Sequence, residues 1–358
     1  MGFGMKLHAP ALQQFGVILI VLLSNWLVLA PDNVEAQATS QPPSMVVRQE
    51  PCTLFKPYRD LDAFGKAYFA ESTYEHVRLQ TDFECSHIWY RSDEATVSGY
   101  IFKPKVMAKR LWPVILYARG GTGNFGLIGD LERVNLYLLA KEGFIVIATE
   151  YRWTGDQGRH DEWGGKDVDD VLNLVPLAKS LGYVDPQRIF LLGASRGGTM
   201  VYLAVKQGIP VRAAAVIAGV TDLATWGIYR PEFINGDANY DGWAKAWPDF
   251  QHRKEEEFRT RSAVAWADQL NVPLLILHSR TDSRVPVSHA LAIAEKLTES
   301  KKEYELVIYG DDGHSLPKNR SDANEHIIRW FRAHDAKVEE SGENTPLIES
   351  RRRKVGEQ

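Results

Sequence analysis

The stretch Ile189-Phe190-Leu191-Leu192-Gly193-Ala194-Ser195-Arg196-Gly197-Gly198 runs from a continuous apolar segment into the pattern Gly-x-Ser-x-Gly-Gly. The apolar segment predicts a buried strand, and residues 199–207 predict a helix. A serine between a strand and a helix lies on a sharp, strained turn, where side chains two positions away on either side collide unless they are glycine. Ser195 is therefore the predicted nucleophile, and the alternative is a structural serine in a tight turn.

Two donors are expected to face the oxyanion that forms when a serine attacks a carbonyl carbon. The backbone N–H of Arg196, at the start of the predicted helix, is the first. The second should come from the glycine-rich segment 117–126, Tyr-Ala-Arg-Gly-Gly-Thr-Gly-Asn-Phe-Gly. A backbone amide at Gly120 or Gly121 and the hydroxyl of Tyr117 all remain open. A phosphate-binding loop is disfavoured because the Lys-Ser/Thr pair of a P-loop is missing.

Apolar runs like the one before Ser195 recur along the chain, as parallel strands covered on both faces require. They are residues 114–117, 144–148, 213–218, 274–277 and 304–309. Helical patterns separate them at residues 130–141, 168–175, 288–299 and 322–333, and Pro176 predicts a kink or break in the second. Alternating segments between residues 77 and 102 predict antiparallel strands. The sequence thus predicts an α/β-hydrolase fold with a doubly wound, mostly parallel sheet and antiparallel N-terminal strands.

A serine hydroxyl needs a base to remove its proton, and in this fold an acid and a histidine follow the serine in the chain. Asp282 follows the apolar run 274–277, and His314 follows the run 304–309. His314 is the predicted base, and Asp282 would orient it.

Other side chains compete less well for these roles. His278 is too close to its strand, His289 and His326 fall inside predicted helices, and Asp311 and Asp312 adjoin His314 and would shape its loop. For Asp282 itself, the alternative is an aspartate that caps a turn.

The N-terminus and composition place the protein in a class. Residues 1–38 predict a signal peptide, with an apolar run at 15–30 followed by Ala36-Gln37-Ala38. We therefore expect export to the periplasm or the medium without stable membrane association; the alternative is an uncleaved membrane anchor. A net charge of −4 gives no indication of a nucleic-acid partner, and the sequence predicts neither a metal site nor a cofactor. Cys52 and Cys85 form either one disulfide or two unpaired thiols.

The remaining segments predict a simple domain organisation. A linker and N-terminal segment covers residues 39–73, the hydrolase domain covers 74–336, and a charged tail at 337–358 is predicted to be disordered. Residues 221–271 form a long connection rich in tryptophan and tyrosine, which predicts a helical, cap-like insertion that packs its aromatic side chains and forms a pocket wall. Nothing in the sequence predicts an oligomeric state.

Residues 95–335 resemble the prolyl oligopeptidase family of serine peptidases, near its dipeptidyl- and acylaminoacyl-peptidase-like members. The resemblance lies in Arg119-Gly120-Gly121, in Asp185-Pro186-Gln187-Arg188-Ile189 before the Ser195 motif, in the run from Pro273 to His278, and in Asp312-Gly313-His314. It implies a catalytic triad of Ser195, Asp282 and His314 and the cleavage of small peptides.

Two departures from the family pattern affect this expectation. Family peptidases usually carry an N-terminal β-propeller that filters substrates by size, and residues 39–110 are too few for one. Ser279 also stands where the family usually has glycine. Without a propeller, hydrolysis of small esters on the same triad is an open alternative to peptide hydrolysis. A non-catalytic binding protein on a hydrolase scaffold is a third, which the complete triad disfavours.

Overall fold

The computed structural model describes residues 44–53, 55–155, 161–237 and 241–335. The predicted signal peptide and charged tail lie outside these residues, so export stays a prediction. Within the described ranges, no helix combines the length and the apolar character that crossing a membrane requires.

The described residues include nine strands, which form one mixed sheet. The strands are β1 (Val46–Pro51), β2 (Phe83–Ser92), β3 (Ala95–Pro104), β4 (Trp112–Ala118), β5 (Ile145–Thr149), β6 (Val184–Ala194), β7 (Ala214–Ile217), β8 (Leu274–Ser279) and β9 (Tyr304–Tyr309). Their order is β1-β2-β3-β5-β4-β6-β7-β8-β9. The pairs among β1, β2, β3 and β5 are antiparallel, and every pair from β5 to β9 is parallel. The predicted mostly parallel sheet with antiparallel N-terminal strands is confirmed from residue 83 onwards. The strand predicted at residues 77–79 is wrong, because these residues end the helix Glu71–Leu79, which buries Tyr74 and Val77 on one face.

Helices cover both faces of this sheet. They are α1 (Ala63–Tyr68), α2 (Glu71–Leu79), α3 (Asp130–Lys141), α4 (Asp167–Leu172), α5 (Leu174–Ser180), α6 (Arg196–Lys206), α7 (Leu223–Tyr229), α8 (Glu232–Asn235), α9 (Trp243–Ala246), α10 (Phe250–Arg261), α11 (Ser288–Glu299) and α12 (Arg320–Ala333). Along β4, Val114 and Leu116 pack with α4, α5, α6 and α11, while Ile115 and Tyr117 pack with α3 and α12. Both faces of the central strands are therefore buried, which explains their continuous apolar sequence.

The helical pattern at 168–175 is interrupted at Asn173, three residues before Pro176. Proline has no N–H to bond the carbonyl of Leu172, and its ring crowds that carbonyl. The first helix consequently ends at Leu172, and Pro176 lies inside the second helix, in its first turn.

The insertion at 221–271 folds into α7, α8, α9 and α10 and packs its aromatic rings together. Trp226, Trp243, Trp247 and Phe258 form a buried cluster with Trp163, which comes from the loop before α4. Tyr240 lies outside the described residues. The insertion is thus attached to the domain by its own apolar core, as the aromatic sequence predicted.

The N-terminal segment is covalently attached to the sheet. Residues 46–51 form β1, which pairs with β2, and Cys52 forms a disulfide with Cys85 on β2. Backbone and side-chain contacts add to this attachment, because Lys56 N–H donates to Asp130 and Arg133 donates to the carbonyl of Thr53.

We predict that the free energy of unfolding of the Cys52→Ser/Cys85→Ser double variant is about 4 kcal/mol lower than that of the wild type. The reason is that the disulfide closes a loop with a sequence separation of 33 residues. Urea denaturation measures the difference. A reductant should lower the midpoint of the wild type and leave that of the variant unchanged; a wild-type midpoint that ignores reductant contradicts the prediction.

Candidate active site

Ser195 lies on the turn between β6 and α6 with φ 57° and ψ −121°. This left-handed region is strained for a residue with a side chain. A Cβ on Gly197 would overlap the carbonyl oxygen of Ala118, and one on Gly193 would overlap that of Gly197. The glycines at these two positions are therefore required by close backbone packing, as the Gly-x-Ser-x-Gly pattern predicted.

Ser195, His314 and Asp282 form one hydrogen-bonded chain. The Oγ of Ser195 is 2.8 Å from Nε2 of His314, and Nδ1 of His314 is 2.7 Å from Oδ2 of Asp282. The three residues come from the carboxyl ends of β6, β8 and β9, which the parallel sheet brings to one edge. This geometry suits proton transfer from the serine to the histidine, with the aspartate orienting the imidazole ring.

Asp282 is a buried carboxylate held by several donors. Its Oδ1 accepts the backbone N–H groups of Arg284 at 2.8 Å and Val285 at 3.0 Å. Burial alone would raise the pKa of Asp282, but the hydrogen bond from His314 and the two backbone donors outweigh it and leave the pKa below its ordinary value. Asp282 therefore stays ionised and favours the His314 tautomer that carries its proton on Nδ1.

The competing histidines have other roles in the structure. Nε2 of His278 is 2.9 Å from the carbonyl of Val285 and 3.5 Å from Asp282. His289 is buried in α11, where its Nδ1 accepts the N–H groups of Thr221 and Asp222 at 3.3 and 3.4 Å. His326, on α12, lies between carboxylates at the surface.

The two alternative acids shape the loop of His314, as the sequence predicted. Asp312 accepts N–H groups from Gly313 at 2.7 Å and Asn319 at 2.9 Å, which closes the loop. Asp311 is exposed and pairs with Lys318 at 2.8 Å.

Ser279, the residue that departs from the family pattern, joins the loops of the acid and the base. Its Oγ donates to the carbonyl of Asp312 at 2.6 Å, and the hydroxyl of Thr281 donates to the same carbonyl at 2.9 Å. Sequence reasoning missed this link, because it depends on a contact between residues more than thirty positions apart.

The glycine loop lies beside the nucleophile. A Cβ on Gly120 would lie 3.3 Å from Cβ of Ser195, and Gly121 has φ 75°, where a Cβ would overlap the carbonyl of Phe125. The loop therefore needs glycine at position 121, and position 120 leaves little room for a side chain. Tyr117 differs: it is buried in β4, and burial together with the nearby carboxylate of Glu132 raises its pKa well above the ordinary value. This environment favours a backbone amide over Tyr117 as the second oxyanion donor.

The side chain of Arg196 binds acidic residues that the sequence did not predict as its partners. Its guanidinium is buried and lies 2.5 Å from Oδ2 of Asp161 and 2.6 Å from Oδ2 of Asp167, above the ring of Tyr151. Burial opposes the charge, but the two carboxylates outweigh it and raise the pKa of Arg196 above its ordinary value. The arginine also donates to the carbonyl of Gly121 at 3.3 Å, so it connects the serine turn to the glycine loop.

A cavity of about 690 Å³ opens above Ser195 and His314. Its walls include the glycine loop, the insertion through Trp226, Arg230 and Phe233, and the N-terminal segment between Lys56 and Tyr68. The N-terminal wall was not predicted, because its sequence carries no motif. Among the described residues, no three His, Cys, Asp or Glu side chains are placed to hold a metal ion.

A model of the prolyl oligopeptidase family matches residues 131–337 of the sequence. The chain belongs to this family. This match confirms the resemblance that the sequence analysis predicted.

Curated relatives match the same region. The chain is 27% identical over 273 residues to the uncharacterized peptidase YuxL of Bacillus subtilis, covering 72% of this chain and 40% of the relative. It is 26% identical over 258 residues to the uncharacterized peptidase YtmA of the same organism, covering 71% of this chain and 92% of the relative. It is 27% identical to dipeptidyl-peptidase 5 of Porphyromonas gingivalis, covering 70% and 38%. The chain therefore spans about two fifths of two of these relatives and nearly all of YtmA.

Solved structures share the fold. The acylaminoacyl peptidase of Pyrococcus horikoshii superposes with a TM-score of 0.60 at 22% identity, over 74% of this chain and 44% of the other. A puromycin-hydrolyzing peptidase of Mycobacterium tuberculosis gives a TM-score of 0.57 at 23% identity, over 70% and 39%. The predicted α/β-hydrolase fold is confirmed.

We predict that Asp282→Asn slows labelling of Ser195 by a fluorophosphonate about 10³- to 10⁴-fold, because the amide no longer selects the productive tautomer of His314. The labelling rate constant measures this loss. Asp311→Asn is the matched control, since Asp311 is exposed and pairs only with Lys318 among the contacts described, and its rate should stay within about twofold of wild type. Wild-type labelling of Asp282→Asn would exclude Asp282 as the orienting acid.

A second prediction concerns stability and pH. Burial lowers the pKa of His289 to about 4, whereas an unfolded histidine titrates near 6.5. The unfolded state therefore binds the proton first, and the free energy of unfolding should fall by up to about 3 kcal/mol as the pH drops from about 6.5 to 4. Urea denaturation at several pH values tests this. His289→Asn should flatten the dependence and His326→Gln should not; an unchanged slope in His289→Asn would refute the assignment.

Proposed function

We propose that this protein is a serine peptidase that hydrolyses short peptides, with Ser195 as nucleophile, His314 as base and Asp282 as the acid that orients it. The observation that carries the proposal is the continuous hydrogen-bonded chain of these three side chains at the floor of an open cavity. Membership of a peptidase family supports it.

The reaction proceeds by acyl transfer. His314 accepts the proton of Ser195 as Oγ attacks the carbonyl carbon, and the imidazolium is stabilised by Asp282. The backbone N–H of Arg196 and an N–H of the glycine loop stabilise the oxyanion of the tetrahedral intermediate. His314 then donates its proton to the leaving amine, and a water molecule, activated in the same way, releases the acyl group from Ser195.

Charged side chains in the cavity favour a peptide over a neutral ester. The lining includes the acids Asp60, Asp62 and Glu132 and the bases Lys56, Arg230, Arg284 and Arg320. Arg284 has no carboxylate within ion-pair distance among the described residues. A short peptide has a positive and a negative end group, and a cavity lined by side chains of both signs can bind both.

Walls on several sides also favour small substrates. The N-terminal wall and the insertion narrow the approach to Ser195. Phe64 and Phe125 are exposed at this approach and offer apolar contact to substrate side chains. We therefore expect peptides of a few residues to be cleaved and folded proteins to be left intact.

The test compares aminoacyl- and dipeptidyl-arylamides with p-nitrophenyl acyl esters and with a folded protein substrate. Wild type should hydrolyse the arylamides, and Ser195→Ala should lose at least about 10⁴-fold in kcat/KM and all fluorophosphonate labelling. If only the esters are turned over, the protein is an esterase that uses the same triad, and the peptidase proposal is wrong. Absence of labelling in the folded wild type would leave a binding protein on a hydrolase scaffold.

A further inference from the structure

Arg119 lies beneath the glycine loop and is almost fully buried, with 1% of its surface exposed. Its guanidinium donates to three backbone carbonyls of that loop: Gly120 at 2.8 Å, Gly123 at 2.8 Å and Phe125 at 3.2 Å. Three carbonyls of one short loop are therefore turned toward a single cation. The guanidinium binds them through two separate terminal nitrogens, whose N–H groups point in fixed directions.

The charge of Arg119 is compensated by Glu150, whose carboxylate lies 2.5 Å from Nε. The two residues follow Ala118 and Thr149, which are register partners on the parallel strands β4 and β5. Glu150 also accepts the N–H of Ile128 at 2.8 Å, at the far end of the loop. The buried pair thus holds both ends of the loop on the edge of the sheet.

The orientation of the carbonyls determines the orientation of the amides. In a trans peptide, the C=O of one residue and the N–H of the next point in opposite directions. Because the carbonyl of Gly120 points at Arg119, the N–H of Gly121 points away from Arg119. Among the described residues, no acceptor takes that N–H, and Gly120 itself lies against Ser195.

We propose that Arg119 is a positioning residue for the oxyanion hole, which draws the loop carbonyls inward and so holds the N–H of Gly121 toward the oxygen that becomes negative in the tetrahedral intermediate. The proposal rests on the proposed acyl-transfer function. Arg119 itself makes no bond to the reacting atoms. The loop has glycines at four of seven positions from 120 to 126, so it has few side chains to pack and depends on polar anchors.

The expected effect follows from the size of an oxyanion contribution. Losing one donor lowers kcat by about 10²- to 10³-fold. Arg119→Lys retains the charge opposite Glu150, but its donors sit on a single nitrogen and cannot replace the bonds that the two terminal guanidinium nitrogens make separately. We therefore expect kcat to fall by about 10²-fold. KM should stay within about threefold, because the oxyanion is absent from the ground state.

The experiment measures kcat and KM of Arg119→Lys and Arg119→Gln on the substrate that the wild type turns over best. The inhibition constant of a peptide aldehyde is also measured for each variant. The aldehyde forms a hemiacetal with Ser195, which places a negatively charged oxygen in the oxyanion hole. Its inhibition constant should rise by about the factor by which kcat/KM falls. In Arg119→Ala, added guanidinium should restore part of kcat.

The matched control is Arg152→Gln. Arg152 is also a buried arginine, and it pairs with Asp170 at 2.9 Å without contacting the glycine loop. This variant should lose thermal stability and keep its kcat and its aldehyde affinity. If Arg119→Gln does not fold, Arg119→Lys carries the test.

Three results would overturn the proposal: an unchanged kcat in a folded Arg119→Lys, equal changes in kcat and KM without loss of aldehyde affinity, or the same losses in Arg152→Gln. Failure of the proposed function is distinguishable, because it would appear in the wild type as absence of turnover and of fluorophosphonate labelling.

Discussion

The left-handed backbone of Ser195 is the constraint on which the rest of the active site depends. A non-glycine residue at φ 57° costs on the order of 1–3 kcal/mol, so surrounding contacts must hold it there. The N–H of Ser195 donates to Ile217 on β7 at 2.8 Å, and Gly197 packs against the carbonyl of Ala118 on β4. The turn is thus fixed from both sides, which requires β4 and β7 to flank β6, as the sheet order has them.

Buried charge is the second consequence of this arrangement. Taking an arginine out of water costs several kcal/mol unless it is paired and hydrogen-bonded, and Arg119 and Arg196 both satisfy that condition through acids from neighbouring loops. An apolar replacement would avoid the desolvation but could not bind backbone carbonyls. Glycines let the backbone amides approach Ser195, but they leave the loop with few side chains that could pack. Arg119 and Arg196 therefore hold the loop in place through hydrogen bonds to its carbonyls.

Sequence patterns predicted the elements well where the information is local. The helices at 130–141 and 288–299 have the predicted bounds, because their apolar periodicity is regular and turns flank them. The order of Ser195, Asp282 and His314 after three separate strands was also readable, since parallel strands end at one edge. The structure adds the hydrogen bonds that join these three side chains.

What sequence could not show are contacts between distant segments. The acidic partners of Arg119 and Arg196 lie on other segments of the chain. The N-terminal wall has no sequence motif that predicts its place beside the cavity. The sequence separation between Arg196 and Asp161 is 35 residues, and nothing in either segment marks the other. Ser279 makes the same point. Its hydroxyl binds the carbonyl of Asp312, two residues before His314, while its own strand leads to Asp282. A glycine cannot make this bond, so the hydroxyl of Ser279 links the loop of the acid to the loop of the base.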